Sequence, residues 1–184
     1  RTIERWREIC REHGIDRIHV CGVESFDIVD ATQYGCDASV GFPPHRIQTR
    51  PINSDVPGLV ADFTGQIMDY RDVVRRELSK PVPAHRLYPG VMVAWDNSPR
   101  RGKAGKIYAK ATPDEYEHWL TGAILNAHDT LPSGERLVFI NAWNEWAEGA
   151  HLEPDTRNGH GYLDATRHAL AQFADTAHGY MRIR

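Results

Sequence analysis

The chain has 184 residues, of which 41% are hydrophobic and 26% are charged, and its formal net charge is −3. This length predicts one domain, residues 1–184, large enough to bury a core without disulfides or metals. The mixed charge argues against a nucleic-acid-binding surface, which would carry a basic stripe. No apolar run approaches the roughly 18 residues of a membrane span, so we expect no transmembrane segment.

The chain contains three cysteines and no Cys-x-x-Cys pair. An odd number of unpaired thiols indicates a reduced, cytoplasmic protein. The first eight residues are charged throughout, include no initiator Met, and already follow a helical pattern, so we expect a piece of a longer protein without a signal peptide. The ten histidines show no metal-binding spacing, and we expect neither a metal nor a cofactor.

Apolar residues at helical spacing predict a first helix over residues 2–12, ended by Gly14. Trp6 lies on the apolar face of this helix and is expected in the core. Short apolar stretches predict strands over residues 17–23 and 38–42.

The middle of the chain begins with residues 45–65, which are rich in Pro, Gly and polar side chains and predict a long loop. Helical periodicity follows over residues 66–79. Residues 90–95 predict a buried strand, and residues 99–106 predict a basic, glycine-containing loop.

The last third predicts a helix over residues 112–129, with Thr112 as its N-cap and Trp119 in the core. A strand over residues 136–142 and a helix over residues 161–178 complete the chain. Single buried strands thus alternate with helices. This alternation is typical of an α/β fold with parallel strand pairing.

Polar and aromatic residues follow the predicted strands where each strand ends. Glu24 follows the first strand, His45 follows the second, and the later strands lead into residues 95–97 and 143–145. In parallel α/β folds, ligands bind at the carboxyl ends of the strands, so we expect these side chains to share one rim. The alternative, that they only terminate strands as in any loop, stays open for isolated residues such as Glu24. The proposed substrate-binding residues are Glu24, His45, Trp95, Asp96, Asn97, Trp143, Asn144 and Trp146.

The segment from 143 to 149 combines two Trp, one Asn and two Glu directly after a buried strand. Glu145 and Glu148 are three residues apart, which on a turn-like backbone holds their Cβ atoms about 5–6 Å apart. Two coupled carboxyls tend to divide into an acid and a base, as glycoside hydrolysis requires. The neighbouring Trp side chains provide an apolar wall and a surface for stacking on a sugar ring.

Asn141-Ala-Trp-Asn-Glu-Trp-Ala-Glu-Gly-Ala-His-Leu-Glu-Pro-Asp155 resembles the signature of WbsX-type proteins. These bacterial proteins are related to glycoside hydrolase family 99 and are often described as lipopolysaccharide-biosynthesis glycosyltransferases. Residues 35–45, 88–101 and 159–163 agree with the same family in the expected order. The resemblance implies a (β/α)8 TIM-like barrel of roughly twice this length, of which this chain is the C-terminal half. The open edge of such a half-barrel predicts self-association.

The resemblance also implies roles for the two glutamates, which are the predicted catalytic residues. In the hydrolase relatives, which act on α-mannosides, the residue matching Glu145 is the base that draws on the sugar 2-hydroxyl, and an epoxide intermediate forms. The residue matching Glu148 is the acid that protonates the leaving oxygen and later deprotonates water. This sequence carries Ala147 where the hydrolases usually carry His.

Three functions therefore remain open. The first is a retaining glycoside hydrolase with a glycan substrate. The second is a glycosyltransferase of bacterial surface polysaccharide, or O-antigen, biosynthesis, which would need positive charge for a nucleotide-sugar diphosphate. The third is a noncatalytic carbohydrate-binding domain, which needs the aromatic residues but not the paired glutamates. The basic residues available to a diphosphate are Arg100, Arg101, Lys103 and Lys106.

Overall fold

The computed structural model describes residues 2–174. Its helices are α1 (Thr2–Glu12), α2 (Tyr70–Leu78), α3 (Ser98–Arg101), α4 (Pro113–Thr130) and α5 (Gly161–Ala174). Its strands are β1 (Cys21–Glu24), β2 (Ala38–Gly41), β3 (Gln66–Asp69), β4 (Leu87–Tyr88), β5 (Gly90–Met92), β6 (Trp95–Asp96), β7 (Lys106–Ala109), β8 (Phe139–Asn141), β9 (Asn144–Glu145) and β10 (Ala150–His151).

The strands of the central layer are parallel and follow chain order. β1 pairs with β2, β2 pairs with β4, and β5 pairs with β8. Only Pro89 separates β4 from β5, so these two form one line of strand that joins both pairings. Helix α2 lies in the connection before this line and α4 lies in the connection after it. The predicted α/β class, with parallel strands alternating with helices, is confirmed.

The backbones of Gly41, at the end of β2, and Gly90, at the start of β5, approach each other closely. A Cβ atom at Gly90 would lie only 1.9 Å from the carbonyl oxygen of Gly41. Any larger residue at position 90 would therefore push the strands apart.

A second small sheet orders β3, β7 and β6. It corrects two predictions from the sequence. Residues 66–69, expected as the first turn of a helix, form β3 because they pair in parallel with Lys106–Ala109. The helix begins only at Tyr70, where the Asp69 carboxylate accepts a hydrogen bond from the Arg71 backbone N–H. The stretch expected as a basic loop contains α3 and leads directly into β7.

Other boundaries differ by a few residues. The first strand spans Cys21–Glu24 rather than 17–23, and the last central strand spans Phe139–Asn141 rather than 136–142. The strand expected over 90–95 ends at Met92, and the chain then turns so that β6 pairs antiparallel with β7. Helices α1 and α4 are confirmed, with Thr112 accepting a hydrogen bond at the start of α4. The last four residues of the helix expected over 161–178 lie outside the described residues.

The core forms where α2, α4 and α5 cover the central strands. Tyr70, Val91, Tyr116 and Trp119 are buried there, as predicted for Trp119. Trp6 is instead 51% exposed, and α1 has no buried residue. Within residues 2–174, the outer edges of β1 and β8 pair with no further strand. No described helix is both long and apolar enough to cross a membrane.

Candidate active site

The carboxyl ends of the central strands form a continuous rim. The side chain of Asn141, at the end of β8, donates a hydrogen bond of 2.8 Å to the carbonyl of Pro43, just beyond β2. The backbone N–H of Val93, just beyond β5, donates to the carbonyl of Asn141 over 3.1 Å. The peptide bond between Asn141 and Ala142 is cis. Asn141 therefore anchors the start of the motif segment to both neighbouring strand ends.

The motif itself folds as a short hairpin, residues 144–151, which we call the motif hairpin. Glu145 pairs with Ala150, and residues Trp146–Glu148 form one turn of 3-10 helix between the two strands. Gly149 ends this turn with a φ of 61°, in the left-handed region that favours glycine. A Cβ atom at Gly149 would lie 3.1 Å from the backbone nitrogen of Asp96, so the hairpin packs directly on β6.

The two glutamates occupy different environments. Glu145 is exposed, and its carboxylate forms no hydrogen bond or ion pair within the described part of the chain. The Glu148 side chain is only 19% exposed and forms an ion pair with Arg100, whose side chain is 54% exposed. Helix α3, which carries Arg100, thus delivers a cation to the second glutamate. From the sequence, Arg100 belonged either to a solvated surface loop or to a source of positive charge for a diphosphate, and this pair was not predicted.

The two lysines of that basic stretch also make side-chain contacts. Lys103 forms an ion pair with Asp62. Lys106 lies 5.2 Å from the centre of the Tyr108 ring, and its burial lowers the pKa of the ammonium group. Three of the four basic residues thus have side-chain contacts, whereas Arg101 is exposed and its side chain has no hydrogen bond or ion pair within residues 2–174.

Two indole rings flank the glutamates. Trp143 is 53% exposed and Trp146 is 50% exposed. The ring of Trp146 stacks on the imidazole of His151 at a centroid distance of 3.8 Å, and its Nε1 donates to Glu153 over 2.6 Å. One face of Trp146 is therefore covered by protein. Trp143, which the structure shows in no ring stack, is the more open surface for a ligand.

The predicted substrate-binding residues 95–97 lie at the end of β6, which contacts the motif hairpin at Gly149. Trp95 is only 8% exposed and belongs to the core. Asp96 accepts a hydrogen bond of 2.8 Å from the backbone N–H of Ser98, and Asn97 accepts one of 2.6 Å from that of Lys106. These contacts fix the start of α3 and hence the position of Arg100.

Glu24 lies at the end of β1 and His45 just beyond β2, rather than at the motif hairpin. Glu24 Oε1 is 2.7 Å from Nε2 of His85, and His45 stacks on Phe42 with centroids 5.4 Å apart. Both line a broad groove of about 1350 Å³ whose lining includes neither of the motif glutamates. The eight predicted substrate-binding residues thus fall into two groups, one around the motif hairpin and one along this groove.

Further polar residues behind the hairpin were not assigned a functional role from the sequence. His151 Nε2 lies 3.0 Å from Oδ2 of Asp155. Although burial raises it, hydrogen bonds from Asn158 and His151 hold the pKa of Asp155 at about 2. The only local signal was the four-residue spacing of His151 and Asp155. Among the described residues, no group of three or more His, Cys, Asp or Glu side chains is arranged to hold a metal ion.

Comparison with solved structures identifies a similar fold. A protein described as "Glycoside hydrolase-like protein" matches with a TM-score of 0.56 and 10% sequence identity, over 90% of this chain and 48% of that protein. At this identity the similarity concerns the fold.

Sequence comparison identifies two relatives, each named "Uncharacterized protein WxcX", from two strains of Xanthomonas campestris pv. campestris. Each is 44% identical over 176 residues, which cover 96% of this chain and 25% of the relative. The chain therefore spans about a quarter of the length of these relatives.

The family described as "Glycosyltransferase WbsX" matches residues 1–166, nearly the whole of the chain that the structure describes. This match agrees with the resemblance that the motif residues indicated and supports the prediction of a carbohydrate-active protein. The chain belongs to the WbsX glycosyltransferase family.

Proposed function

We propose that the chain is the C-terminal part of a (β/α)8 barrel. Support comes from the parallel order of β1, β2, the β4–β5 line and β8, in which strands that follow each other along the chain are also neighbours. Support also comes from the similar structure, of which this chain covers 48%. The preceding part of the protein would supply the remaining strands and the other wall of the cleft.

The proposed activity is cleavage of a glycosidic bond by Glu145 and Glu148. The observation that carries it is the stretch from Trp143 to Glu148, which presents an exposed carboxylate, a second partly buried carboxylate and two half-exposed indole rings within six residues of chain. Carboxylates in unlike environments can act as base and acid in one reaction. Indole rings can stack on the apolar face of a sugar.

In the proposed reaction, Glu145 removes the proton of the sugar 2-hydroxyl, and the resulting oxygen attacks the anomeric carbon. The bond to the leaving oxygen breaks while Glu148 donates its proton to that oxygen, which leaves an epoxide on the sugar. Glu148 then removes a proton from water, which opens the epoxide at the anomeric carbon, and Glu145 returns its proton to the 2-oxygen. Retention at the anomeric carbon follows from the two displacements.

The ion pair with Arg100 adds a requirement to this scheme. Because Arg100 occupies the Glu148 carboxylate in this structure, the two groups must separate before Glu148 can protonate the leaving oxygen. Arg100 is more than half exposed and lies on a short helix, so its side chain has room to move. Substrate binding at the hairpin would drive that separation.

We propose an α-mannoside-type linkage in a bacterial polysaccharide as the substrate class, as the family resemblance implies. Ala147 leaves space where related hydrolases usually carry His, and this difference bears on which sugar fits. We also propose a cytoplasmic location, supported by the three free thiols Cys10, Cys21 and Cys36.

A glycosyltransferase of surface polysaccharide biosynthesis is the second candidate, favoured by the description of the family. A nucleotide-sugar donor needs cations that are free to bind its diphosphate. Arg100 and Lys103 each pair with a carboxylate in this structure. Hydrolase-type chemistry is therefore the function that the geometry supports better.

The test measures turnover of the full-length protein on aryl α-mannosides and bacterial polysaccharides, beside calorimetric titration with UDP- and GDP-sugars. We expect Glu145→Gln and Glu148→Gln each to lower hydrolysis by about 10²- to 10⁴-fold while sugar binding is kept. Glu8→Gln on α1 is the matched control. Nucleotide-sugar binding with sugar transfer would favour the transferase, and sugar binding with no turnover in the wild type would favour a binding domain.

A further inference from the structure

A small cavity lies behind the motif hairpin, between β6, the end of β7 and the segment that leads into α5. Its volume is about 300 Å³, at the lower end of the range of small-molecule sites. It is separate from the broad groove that holds Glu24 and His45, and its lining includes neither Glu145 nor Glu148. We call it the His151 pocket; the residues that matter for its chemistry are Trp95, Asp96, His151, Asp155, Asn158 and Tyr162.

Three residues that line this pocket carry a buried polar atom without a hydrogen-bond partner in the described part of the chain. They are Nδ1 of His151, Nε1 of Trp95 and the hydroxyl oxygen of Tyr108. Buried polar atoms in folded proteins are nearly always hydrogen-bonded, so three exceptions among the residues of one cavity wall point to a ligand or solvent partner. Chain packing alone gives no reason to keep these groups unsatisfied.

The protonation state of Asp155 determines which kind of hydrogen-bond partner the Nδ1 atom of His151 lacks. Asp155, with its pKa held at about 2, is a carboxylate at neutral pH and can only accept a hydrogen bond. His151 Nε2, 3.0 Å from Asp155, must therefore carry the hydrogen. In a neutral imidazole Nδ1 is then an acceptor, and the partner it lacks is a donor such as a hydroxyl group.

The remaining polar groups offer both donors and acceptors. Burial, with a contribution from Asp155, raises the pKa of Tyr162 to about 12, so its phenol keeps its proton and can donate. Asp96 uses one carboxylate oxygen for the Ser98 backbone and retains the other as an acceptor. Asp96 and Asp155 share the lining with Arg157 and Lys110, of which Lys110 pairs with Asp69 outside it, so the wall carries charges of both signs.

We propose that the His151 pocket binds one neutral, polyhydroxylated unit, a single sugar ring, as an accessory subsite beside the motif hairpin. The inference rests on the proposed carbohydrate function and deepens it. His151 couples the two places, because its ring stacks on Trp146 of the hairpin while the residue also lines the pocket. A sugar bound there would lie next to the glycan that the glutamates process.

The test uses the full-length protein carrying Glu148→Gln, so that binding is measured without turnover. Saturation-transfer NMR titrations with methyl α-mannoside, and with glucuronate and inorganic phosphate as charged alternatives, identify the preferred chemistry. Tyr162→Phe keeps the ring that packs on Tyr116 but removes the hydroxyl, and we expect it to weaken sugar binding by about 2- to 10-fold. Tyr34→Phe, at an exposed tyrosine elsewhere, is the control and should change nothing.

A crystal structure of the sugar-soaked full-length protein gives the second readout, with a sugar ring expected against His151. The inference is overturned if the pocket contains only ordered water, or if a side chain from another part of the full-length protein fills it. Preference for glucuronate or phosphate, or unchanged binding in Tyr162→Phe, would equally contradict it. Hydrolytic turnover of the parent protein is scored separately, so failure of the proposed function does not decide this result.

Discussion

Arg100 and Glu148 form an ion pair although they are 48 residues apart in the sequence. The arginine comes from α3, which starts at the hydrogen-bonded Asp96 and Asn97, and the glutamate comes from the turn of the motif hairpin. The pair joins the segment after β6 to the segment after β8. It also links the basic stretch and the acidic motif, which the sequence presents as separate features.

Replacement of Arg100 by Ala tests whether this pair positions the catalytic carboxylate. Because the guanidinium is largely exposed, we expect the free energy of unfolding to change by no more than about 1 kcal/mol. Although the pair must open for the proton transfer, it holds the Glu148 carboxylate at the turn while substrate binds, so we expect kcat/KM on an aryl glycoside to fall by about 10-fold or more when the guanidinium is removed. Arg100→Lys should restore part of the activity. Arg101→Ala is the control, and an Arg100→Ala enzyme with wild-type kinetics would reduce the pair to a surface contact.

Trp143 should contribute to glycan binding through its open ring. Trp143→Ala is expected to raise KM by about 3- to 10-fold, the range that corresponds to loss of one aromatic stacking contact, with a smaller effect on kcat. Trp143→Phe should retain most of the binding because it keeps an aromatic face. Steady-state kinetics on a soluble oligosaccharide measure the effect, and an unchanged KM in Trp143→Ala would remove this residue from the site.

Gly90 is required where the central strands approach each other. Gly90→Ala brings a methyl group against the Gly41 carbonyl, and we expect it to destabilise the fold by about 1–3 kcal/mol, as overpacking of a core does. Gly134→Ala is the matched control, because a Cβ atom there meets no atom within 4 Å. Urea unfolding followed by tryptophan fluorescence compares the two. Equal midpoints for both variants would contradict the inferred close contact.

Asp155 should make the protein sensitive to acid. Its pKa is lowered from the ordinary value of 3.8 to about 2, so the carboxylate stabilises the folded state above about pH 4. That contribution is lost as the pH falls from about 4 toward 2, because the unfolded chain takes up the proton first. Thermal unfolding between pH 2 and 7 should show a shallower decline for Asp155→Asn, which should also be less stable than wild type at neutral pH. Parallel curves for the two proteins would contradict this assignment.

The isolated 184-residue chain should self-associate. Within residues 2–174 the outer edges of β1 and β8 have no strand partner, and α1 exposes apolar surface around Trp6 and Ile9. Light scattering should detect dimers or larger species at micromolar concentration, whereas the full-length protein should cover these surfaces within one chain. A sharp monomer of the isolated chain would argue against the half-barrel proposal.

Local patterns were sufficient where local interactions dominate. The cap at Thr112 and the periodicity after it predicted α4 to within a residue or two, and the alternation of apolar strands with helices predicted the α/β class. The cluster from Trp143 to Glu148 also stood out from composition alone, because two indoles and two carboxyls rarely follow a buried strand. These features depend on residues that are close in the chain.

Contacts between distant segments explain the rest. Residues 66–69 follow a helical pattern up to Tyr70, yet they form a strand because Lys106–Ala109 offers them backbone partners about forty positions away, a pairing that hydrophobic periodicity does not encode. The same reason applies to the ion pair between Arg100 and Glu148. It also applies to His151, whose unpartnered Nδ1 indicates a ligand only because β6, β7 and the segment before α5 together form a cavity. The residue types of the site could thus be predicted from the sequence. Which groups they pair with, and how their charges are balanced, depends on the tertiary structure, because the partners come from distant segments.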